Sequence, residues 1–271
     1  MENLPGTTRR GFLRLVGAMG AAATLTGTLA ACGTTPAQTT PTAGGSAAPS
    51  AAATTGAAAT GEKITAAISY QLGTNGYDPM TTSAALTQAA NWHTMEGLTE
   101  IHPATREVYA ALGAGLPTKV DDTTYEVTLR DGAVFHDGSP VTTDDVEFSF
   151  ARVLDPANKS LYATFIAFVD SVTKKDDTTV TVKLKYPFSL VAERLSVVKI
   201  VPKAAVEADA KAFDLNPIGS GPYKMTDNGA ASQKLVFEKF DTYTGQYPAR
   251  VKTMEWQVIP DDSTRTNALT S

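Results

Sequence analysis

Hydrophobic and polar residues alternate most regularly in residues 125–130, a period of two that predicts a half-buried β-strand. The dipeptide Asp131-Gly132 follows and predicts a turn that needs positive φ. Residues 133–135 then predict a short return strand, and residues 136–140 a second turn in which proline fixes φ. This part of the chain is therefore expected to form a strand followed by two tight turns.

A helical period replaces this alternation after residue 140. Thr142 and Thr143 are candidate N-caps, and the two aspartates that follow place negative charge where the helix dipole favours it. The apolar positions at i, i+4, i+7 and i+8 form one stripe: Val146, Phe150, Val153 and Leu154. Asp155-Pro156 is expected to end the helix. Residues 125–156 therefore predict a scaffold, with no direct ligand contact from most of them.

The same patterns predict further strands at 64–70, 178–185, 235–240 and 251–259, and helices at 83–95 and 204–212. Residues 98–101 and 199–201 are expected to be extended, residues 73–79 a loop, and residues 187–197 a short helix or a loop. In the helix at 83–95, Ala85, Ala89 and Trp92, and with them Met95, are expected to share one face. Because strands and helices mix without a regular βαβ rhythm, the expected fold class is α/β with a mixed sheet, close to α+β.

The N-terminus carries the features of an export signal. Arg9 and Arg10 precede Phe12 and Leu13, a pattern that resembles the twin-arginine signal. The residues that follow are rich in Ala, Gly and Thr and only weakly apolar, which makes a permanent membrane span a poor prediction. A signal-anchor helix is the alternative interpretation.

The chain has one cysteine, Cys32, at the end of a Leu-Ala-Ala-Cys sequence that matches a bacterial lipobox. Residues 1–32 are therefore predicted to be a lipoprotein signal peptide with lipid attached to Cys32; an isolated cysteine without a function is the alternative. Residues 33–62 consist almost entirely of Ala, Thr, Gly, Pro and Ser, which predicts a disordered tether. The protein is expected to be exported and lipid-anchored on the outer face of the cytoplasmic membrane, without disulfides.

The charge pattern argues against polyanionic partners. The formal net charge is -5, and no basic run occurs, so neither nucleic acid nor an anionic membrane surface is an expected partner. Arg130, Arg152 and Arg194 are expected to form ordinary solvated ion pairs with carboxylates.

The sequence lacks the common signatures of hydrolases. It contains neither G-x-S-x-G nor H-E-x-x-H, and its three histidines, His93, His102 and His136, are far apart along the chain. His136 stands near several aspartates, but turn and helix-start chemistry explains these residues more simply than a metal site. We therefore expect no catalysis, no cofactor and no bound metal.

Five further segments join residues 125–156 in resembling one family, and they do so in the family's order. The segments are MEGLTE (95–100), DDTTVTVKL (176–184), NPIGSGPYKM (216–225), DTYTG (241–245) and VIPDDSTRTNAL (258–269). The family is that of extracellular solute-binding proteins of dipeptide, oligopeptide and nickel transporters. Ser220 and Thr244 depart from the family's usual Thr and Trp, and both changes fall in loops that affect the expected cleft shape.

The resemblance implies a periplasmic-binding-protein-like fold with two lobes that close on the ligand. By analogy, residues 63–100 and 185–271 would build the core sheet of the first lobe, and residues 101–184 an accessory subdomain inserted in it. Family chains are much longer than this one, so the second lobe is expected to be missing and the chain to be a fragment.

The resemblance also places the segment after Pro79 against the ligand. Met80, Thr82 and Ser83 are therefore candidate ligand contacts, which would offer apolar surface and hydroxyl groups. The alternative interpretation is a loop that only caps the next helix, with Thr82 or Ser83 as its N-cap.

Two further places are candidate sites. Trp92 is a candidate ligand contact, although a core position is the preferred interpretation, and His93 is expected to be structural. Ser220 and Gly221 lie in a glycine loop that permits close approach of another backbone or of a ligand, and a tight crossover near the hinge is preferred. The loop is not a phosphate-binding loop, since no Gly-Lys-Ser/Thr follows.

These features predict the substrate-binding lipoprotein of an ABC importer. It would capture peptides or similar small solutes outside the membrane as a monomer and deliver them to permease subunits, without covalent chemistry. A sensory surface protein that binds solutes without transport is the alternative, and a secreted lipoprotein hydrolase is disfavoured by the missing motifs.

Overall fold

The computed structural model describes residues 61–69 and 76–270. The predicted signal peptide with Arg9, Arg10, Phe12, Leu13 and Cys32, and nearly all of the predicted tether, lie outside these residues. Within the described part of the chain, no helix is both long enough and apolar enough to cross a membrane.

The described residues contain ten strands, six α-helices and two 3₁₀ turns. The strands are β1 (Gly61–Ile68), β2 (Thr99–Ile101), β3 (Val108–Ala110), β4 (Thr118–Asp121), β5 (Thr124–Thr128), β6 (Val169–Lys174), β7 (Thr179–Leu184), β8 (Tyr223–Asn228), β9 (Lys234–Lys239) and β10 (Val251–Val258). The helices are α1 (Ala85–Thr94), α2 (Thr143–Leu154), α3 (Val191–Leu195), α4 (Lys203–Ala208), α5 (Ala210–Leu215) and α6 (Asp262–Thr270). The 3₁₀ turns are Pro156–Asn158 and Ala163–Ile166.

The first sheet joins distant parts of the chain in the order β1-β10-β9-β8. β1 is parallel to β10, with Gly61 opposite Val251 and Ile68 opposite Val258, and the other pairs are antiparallel. The strands predicted at 64–70, 235–240 and 251–259 are confirmed with shifted ends, whereas β8 was not predicted. A sheet with both parallel and antiparallel pairs confirms the expected mixed α/β class.

The second sheet is antiparallel throughout, in the order β4-β5-β7-β6. The predictions of β5 and β7 are confirmed: Val127 of β5 and Val180, Val182 and Leu184 of β7 are buried, and Tyr125 is half-buried. The predicted return strand at 133–135 is wrong, because β5 is already paired on both edges. Val134 instead forms an isolated bridge with Pro140, inside a small hairpin whose turn contains Gly138 at φ 88°.

Helix α2 begins and ends where the sequence predicts. Thr142 is the N-cap of a capping box in which its Oγ1 accepts from the Asp145 N–H at 3.3 Å and Asp145 Oδ2 accepts from the Thr142 N–H at 2.9 Å. The apolar stripe packs on the second sheet, and Val146 and Phe150 are fully buried. Local capping and periodicity were sufficient for this prediction.

Helix α1 buries a different face from the one predicted. Trp92 is 64% exposed and Ala85 is exposed, whereas Leu86 and Ala90 are buried against the first sheet. The predicted face is thus wrong by about one residue of helical rotation. Small alanine side chains line several sides of this helix, so the sequence pattern does not fix its orientation.

Candidate functional site

The segment that precedes α1, residues 76–83, is held by Asp214 of α5. Asp214 accepts the Tyr77 N–H through its main-chain oxygen at 2.8 Å and the Asp78 N–H through Oδ1 at 2.9 Å. Gly76 adopts φ +69°, and a Cβ atom there would lie 2.1 Å from Asp214 Oδ2, so only glycine fits. Burial raises the pKa of Asp214. The 76–83 segment is therefore fixed in place by a part of the chain more than a hundred residues away.

Asp78 also ties this segment to α2. Its carboxylate accepts the Arg152 guanidinium in a short ion pair and the Met80 N–H at 3.0 Å. The two charged side chains are only 5% and 12% exposed, so the expected solvated ion pair of Arg152 is wrong. Because a buried carboxylate needs a partner, Arg152 and Asp78 fix the path of the chain at Met80.

A small crevice of about 10 Å³ opens beside Met80, Arg152 and Tyr162. Tyr162 donates its hydroxyl hydrogen bond to the Thr82 carbonyl at 3.1 Å, and Ser160 Oγ donates to the Met80 carbonyl at 3.2 Å. Burial raises the pKa of the Tyr162 hydroxyl. The sequence analysis did not select Tyr162, because the stretch after Pro156 also contains Leu161, Phe165 and Ile166 and gives Tyr162 no distinctive signal.

The structure places four of the six candidate ligand contacts before or on α1 and the other two in the glycine loop. Met80, Thr82 and Ser83 precede α1; Thr82 is buried, with its Oγ1 accepting the Ala84 N–H at 3.0 Å, and Ser83 is exposed. The N-cap position itself is Ala84, so neither Thr82 nor Ser83 occupies it. Trp92, on the outer surface of α1, lies close to the other end of the helix, roughly 13 Å away at 1.5 Å per residue.

The two candidates in the glycine loop, Ser220 and Gly221, pack against the C-terminal end of α1. Gly221 donates its N–H to the Thr94 carbonyl at 2.9 Å, and a Cβ atom on Gly221 would lie 2.6 Å from the Thr94 carbonyl carbon. Ser220 is 1% exposed, and its Oγ has no hydrogen-bond partner within residues 61–69 and 76–270. The glycine loop therefore packs its backbone closely against α1.

His136 locks the glycine loop from the other side. Its main-chain N–H donates to the Gly219 carbonyl at 2.8 Å, Nδ1 accepts the Gly219 N–H at 3.3 Å, and Nε2 lies 3.0 Å from the Gly221 carbonyl. Since Nδ1 is an acceptor, the proton of the neutral ring is on Nε2. Burial lowers the pKa of His136 to about 4. In the described residues, no group of three or more His, Cys, Asp and Glu side chains is placed to hold a metal ion.

The free energy of unfolding is expected to fall as the pH is lowered from about 6.5 toward about 4. In this window the unfolded histidine binds a proton that the folded His136 excludes, so stability rises with pH, by about 3 kcal/mol across the whole window. Urea unfolding measured at intervals between pH 5 and 6.5 checks this. His136→Gln should flatten the slope whatever its effect on stability at pH 7, and an unchanged slope would contradict the assignment. Burial also lowers the pKa of His93, so the pH dependence of His93→Gln is measured separately.

A buried cluster of Glu96, Arg130 and Tyr243, the Glu96 cluster, joins three of the family-like segments. Arg130 binds Glu96 through two hydrogen bonds of 2.9 and 2.8 Å, and the Tyr243 hydroxyl donates to Glu96 Oε1 at 2.9 Å. The Arg130 guanidinium lies 5.3 Å from the centre of the Tyr243 ring. The Glu96 and Arg130 side chains are 5% and 12% exposed, so the expected solvated pair is wrong here too.

The Glu96 cluster connects residues that are far apart in sequence. Glu96 follows α1, Arg130 follows β5 of the second sheet, and Tyr243 follows β9 of the first sheet. Glu100 forms a second buried pair nearby, with Lys199, and accepts the Gly97 N–H at 2.8 Å. Several of the separate segments that resemble the family therefore contact one another in the fold.

The family model for bacterial extracellular solute-binding proteins, family 5 (middle part), matches residues 107–271, which is more than half of the chain. The chain belongs to this family. The resemblance inferred from the sequence motifs is thereby confirmed. Since the family consists of solute-binding proteins and not of enzymes, the expectation of a non-catalytic protein is confirmed as well.

Individual relatives support the same assignment. Protein XP55 of Streptomyces lividans is 37% identical over 169 residues, which are 61% of this chain and 30% of that protein. The dipeptide-binding protein DppE of Bacillus subtilis is 29% identical over 195 residues, which are 63% of this chain and 34% of that protein. The chain thus spans about a third of the length of these family 5 relatives.

A solved structure confirms the fold. The oligopeptide-binding protein AppA of Bacillus subtilis, in complex with a nonapeptide, matches 78% of this chain and 42% of its own with a TM-score of 0.69. At 24% identity this similarity concerns the fold alone. It confirms the expected mixed α/β, periplasmic-binding-protein-like architecture over the 78% of this chain that the match covers.

Proposed function

We propose that this chain is the substrate-binding component of an ABC importer and captures peptides or similar small solutes outside the membrane. The observation that carries the proposal is the family match over residues 107–271, since that family consists of extracellular solute-binding proteins. The names of DppE and AppA state a dipeptide and an oligopeptide function for those proteins. A permease would receive the captured solute, and the receptor acts without covalent chemistry.

The ligand-facing wall is proposed to contain the 76–83 segment, Tyr162 and the outer surface of α1. The segment is held by Asp214 and Arg152, so its position does not depend on the ligand. This arrangement reduces the ordering that binding requires and therefore favours affinity. Ser83 and Trp92 are the exposed members of the wall and are available to a peptide.

Ser220 and Gly221 are proposed to support this wall from behind. Both are buried, and Gly221 is hydrogen-bonded to the end of α1. Substitution there would displace α1 and hence Trp92. Thr82 is proposed to support the wall at the other end of the helix. Its carbonyl accepts a hydrogen bond from the Tyr162 hydroxyl, and its own hydroxyl oxygen accepts one from the Ala84 N–H.

We also propose the lobe division inferred from the resemblance. The strands of the first sheet come from residues 61–68 and 223–258, which lie almost wholly in the ranges 63–100 and 185–271 assigned to the lobe core. The strands of the second sheet come from residues 118–184, within the accessory subdomain at 101–184. Export by the twin-arginine route, a lipid on Cys32 and the tether complete the proposal, because a receptor near its permease needs an anchor.

The proposal is tested by calorimetry of the chain against pools of dipeptides, tetrapeptides and nonapeptides. We expect saturable heat with at least one pool, and binding about tenfold weaker for Trp92→Ala, because an exposed aromatic residue in a binding wall contributes strongly. Leu116→Ala is the matched control, since Leu116 is also an exposed apolar residue but lies outside the wall. The lipid anchor is tested separately by labelling cells with a fatty acid. The protein should take up the label, and Cys32→Ala should abolish this uptake. Absence of heat with every pool would contradict peptide capture.

A further inference from the structure

A second concave surface lies away from the proposed wall, between the β2–β3 hairpin, α3 and the loop that follows β9. Its volume is about 590 Å³, within the range of small-molecule sites. Its lining includes His102, Arg106, Glu107, Tyr109, Glu193 and Tyr247. None of them belongs to the 76–83 segment, to Tyr162 or to α1, so this aromatic cleft is separate from the peptide site proposed above.

Three rings form the walls of the aromatic cleft. Tyr109 and Tyr247 meet edge to face, with centroids 4.8 Å apart and ring planes at 79°. His102 lies against Tyr247 with centroids 5.3 Å apart and planes at 46°. Two rings in edge-to-face contact leave a corner on their open side, where a cation can lie against the face of one ring and close to the other, whereas a flat ligand needs one whole ring face.

The charges around the aromatic cleft favour a cation. Glu107 and Glu193 are among the lining residues, and neither has an ion pair among residues 61–69 and 76–270. Arg106 also lines the cleft without such a pair, so a ligand with a cationic head and a polar tail would find complementary charges. A cation held against an exposed ring face gains a modest attraction from the ring quadrupole.

Tight turns hold both sides of the aromatic cleft in place. In the hairpin turn, Arg106 adopts φ 64°, its N–H donates to the His102 carbonyl at 2.8 Å, and His102 Nδ1 accepts the Thr105 N–H at 3.1 Å. In the opposite loop, a Cβ on Gly245 would lie 2.1 Å from the Tyr243 hydroxyl oxygen, so this loop packs closely on the Glu96 cluster. The rings are therefore attached to anchored backbone.

We propose that the aromatic cleft binds a small organic cation, an ammonium compound whose charged head lies on the open side of the corner formed by Tyr109 and Tyr247, with Glu107 and Glu193 in the same lining. This site is distinct from peptide capture and does not depend on it. Its ligand class follows from ring geometry and charge, and its role would be to give the receptor a second ligand besides the transported solute.

Titration of the chain with choline, followed by calorimetry and by the NMR signals of the tyrosine rings, tests the proposal. We expect saturable binding of choline and at least about tenfold weaker binding of dimethylbutanol, its neutral carbon isostere. Equal binding of the two compounds would overturn the proposal, because it would show that charge is not recognised. Absence of choline binding would overturn it as well.

Two substitutions locate the site. Tyr247→Leu and Glu193→Gln should each weaken choline binding, the first by about tenfold, while the peptide pools bind as before. Tyr247 is 40% exposed, so its replacement should leave the fold intact. Tyr186→Leu, at a 51% exposed tyrosine outside the aromatic cleft, is the matched control. Choline binding that survives Tyr247→Leu unchanged would place the cation elsewhere and refute the assignment.

Discussion

Arg130→Met is expected to lower the free energy of unfolding by about 3–5 kcal/mol, because it leaves the buried Glu96 carboxylate without its cationic partner. Arg130 makes two hydrogen bonds to Glu96, contacts the Tyr243 ring and binds the Ala111 carbonyl. Methionine has a similar length and can fill part of the space, so most of the loss comes from the unpaired charge. Urea unfolding followed by tryptophan fluorescence measures it.

The double variant Arg130→Met/Glu96→Gln separates charge from packing. Because it removes both charges, it should be less destabilised than Arg130→Met alone. Lys119→Ala is the matched control, since the Lys119–Asp122 pair is 54% and 79% exposed and should leave the unfolding midpoint unchanged. If Arg130→Met and Lys119→Ala had equal effects, the Glu96 cluster would not be a buried ionic link.

Gly219→Ala is expected to destabilise the protein by about 3 kcal/mol. A Cβ atom on Gly219 would lie 1.9 Å from the Thr94 carbonyl oxygen and 2.8 Å from Met95 Cγ. Backbone atoms at the end of α1 cannot move away as the tip of a flexible side chain can, so the glycine loop and α1 must separate. Thermal and urea unfolding give the magnitude.

The effect of Gly219→Ala should extend to His136, which exchanges hydrogen bonds with Gly219. Separation of the loop would expose the imidazole and weaken the pH dependence of stability between pH 5 and 6.5. Gly115→Ala is the control, because no atom lies within 4 Å of a Cβ placed there and φ is not positive. Its effect should stay within about 0.5 kcal/mol. Equal losses for both variants would show that the contact with Thr94 is not tight.

The residues behind both expected losses of stability lie in segments that resemble the family. Glu96, Arg130 and Gly219 each lie in such a segment, and each contacts a part of the chain distant in sequence. The motifs are therefore explained by the way the two sheets and α1 are joined, while the proposed ligand contacts lie at the exposed ends of α1. Changes at Trp92 should affect binding, and changes in the Glu96 cluster should affect folding.

The sequence analysis selected four residues of the proposed wall, Met80, Thr82, Ser83 and Trp92, which lie at the two ends of α1. It did not select Tyr162 or Asp214. Tyr162 reaches Thr82 across 80 positions of sequence, and Asp214 reaches Asp78 across 136. Contacts of this range leave no periodic or capping signal, so only folded coordinates bring the residues together.

Local chemistry alone was enough to place α2, β5, β7, β9 and β10. Each of these depends on alternation, capping or an apolar stripe, all of which are complete within a dozen residues. The family, too, is evident from motifs in order. The tertiary structure decided the buried face of α1, the absence of a return strand at 133–135 and the burial of Arg130 and Arg152. These depend on which partners β5, α1 and each charge meet, and that choice is made by packing across the chain.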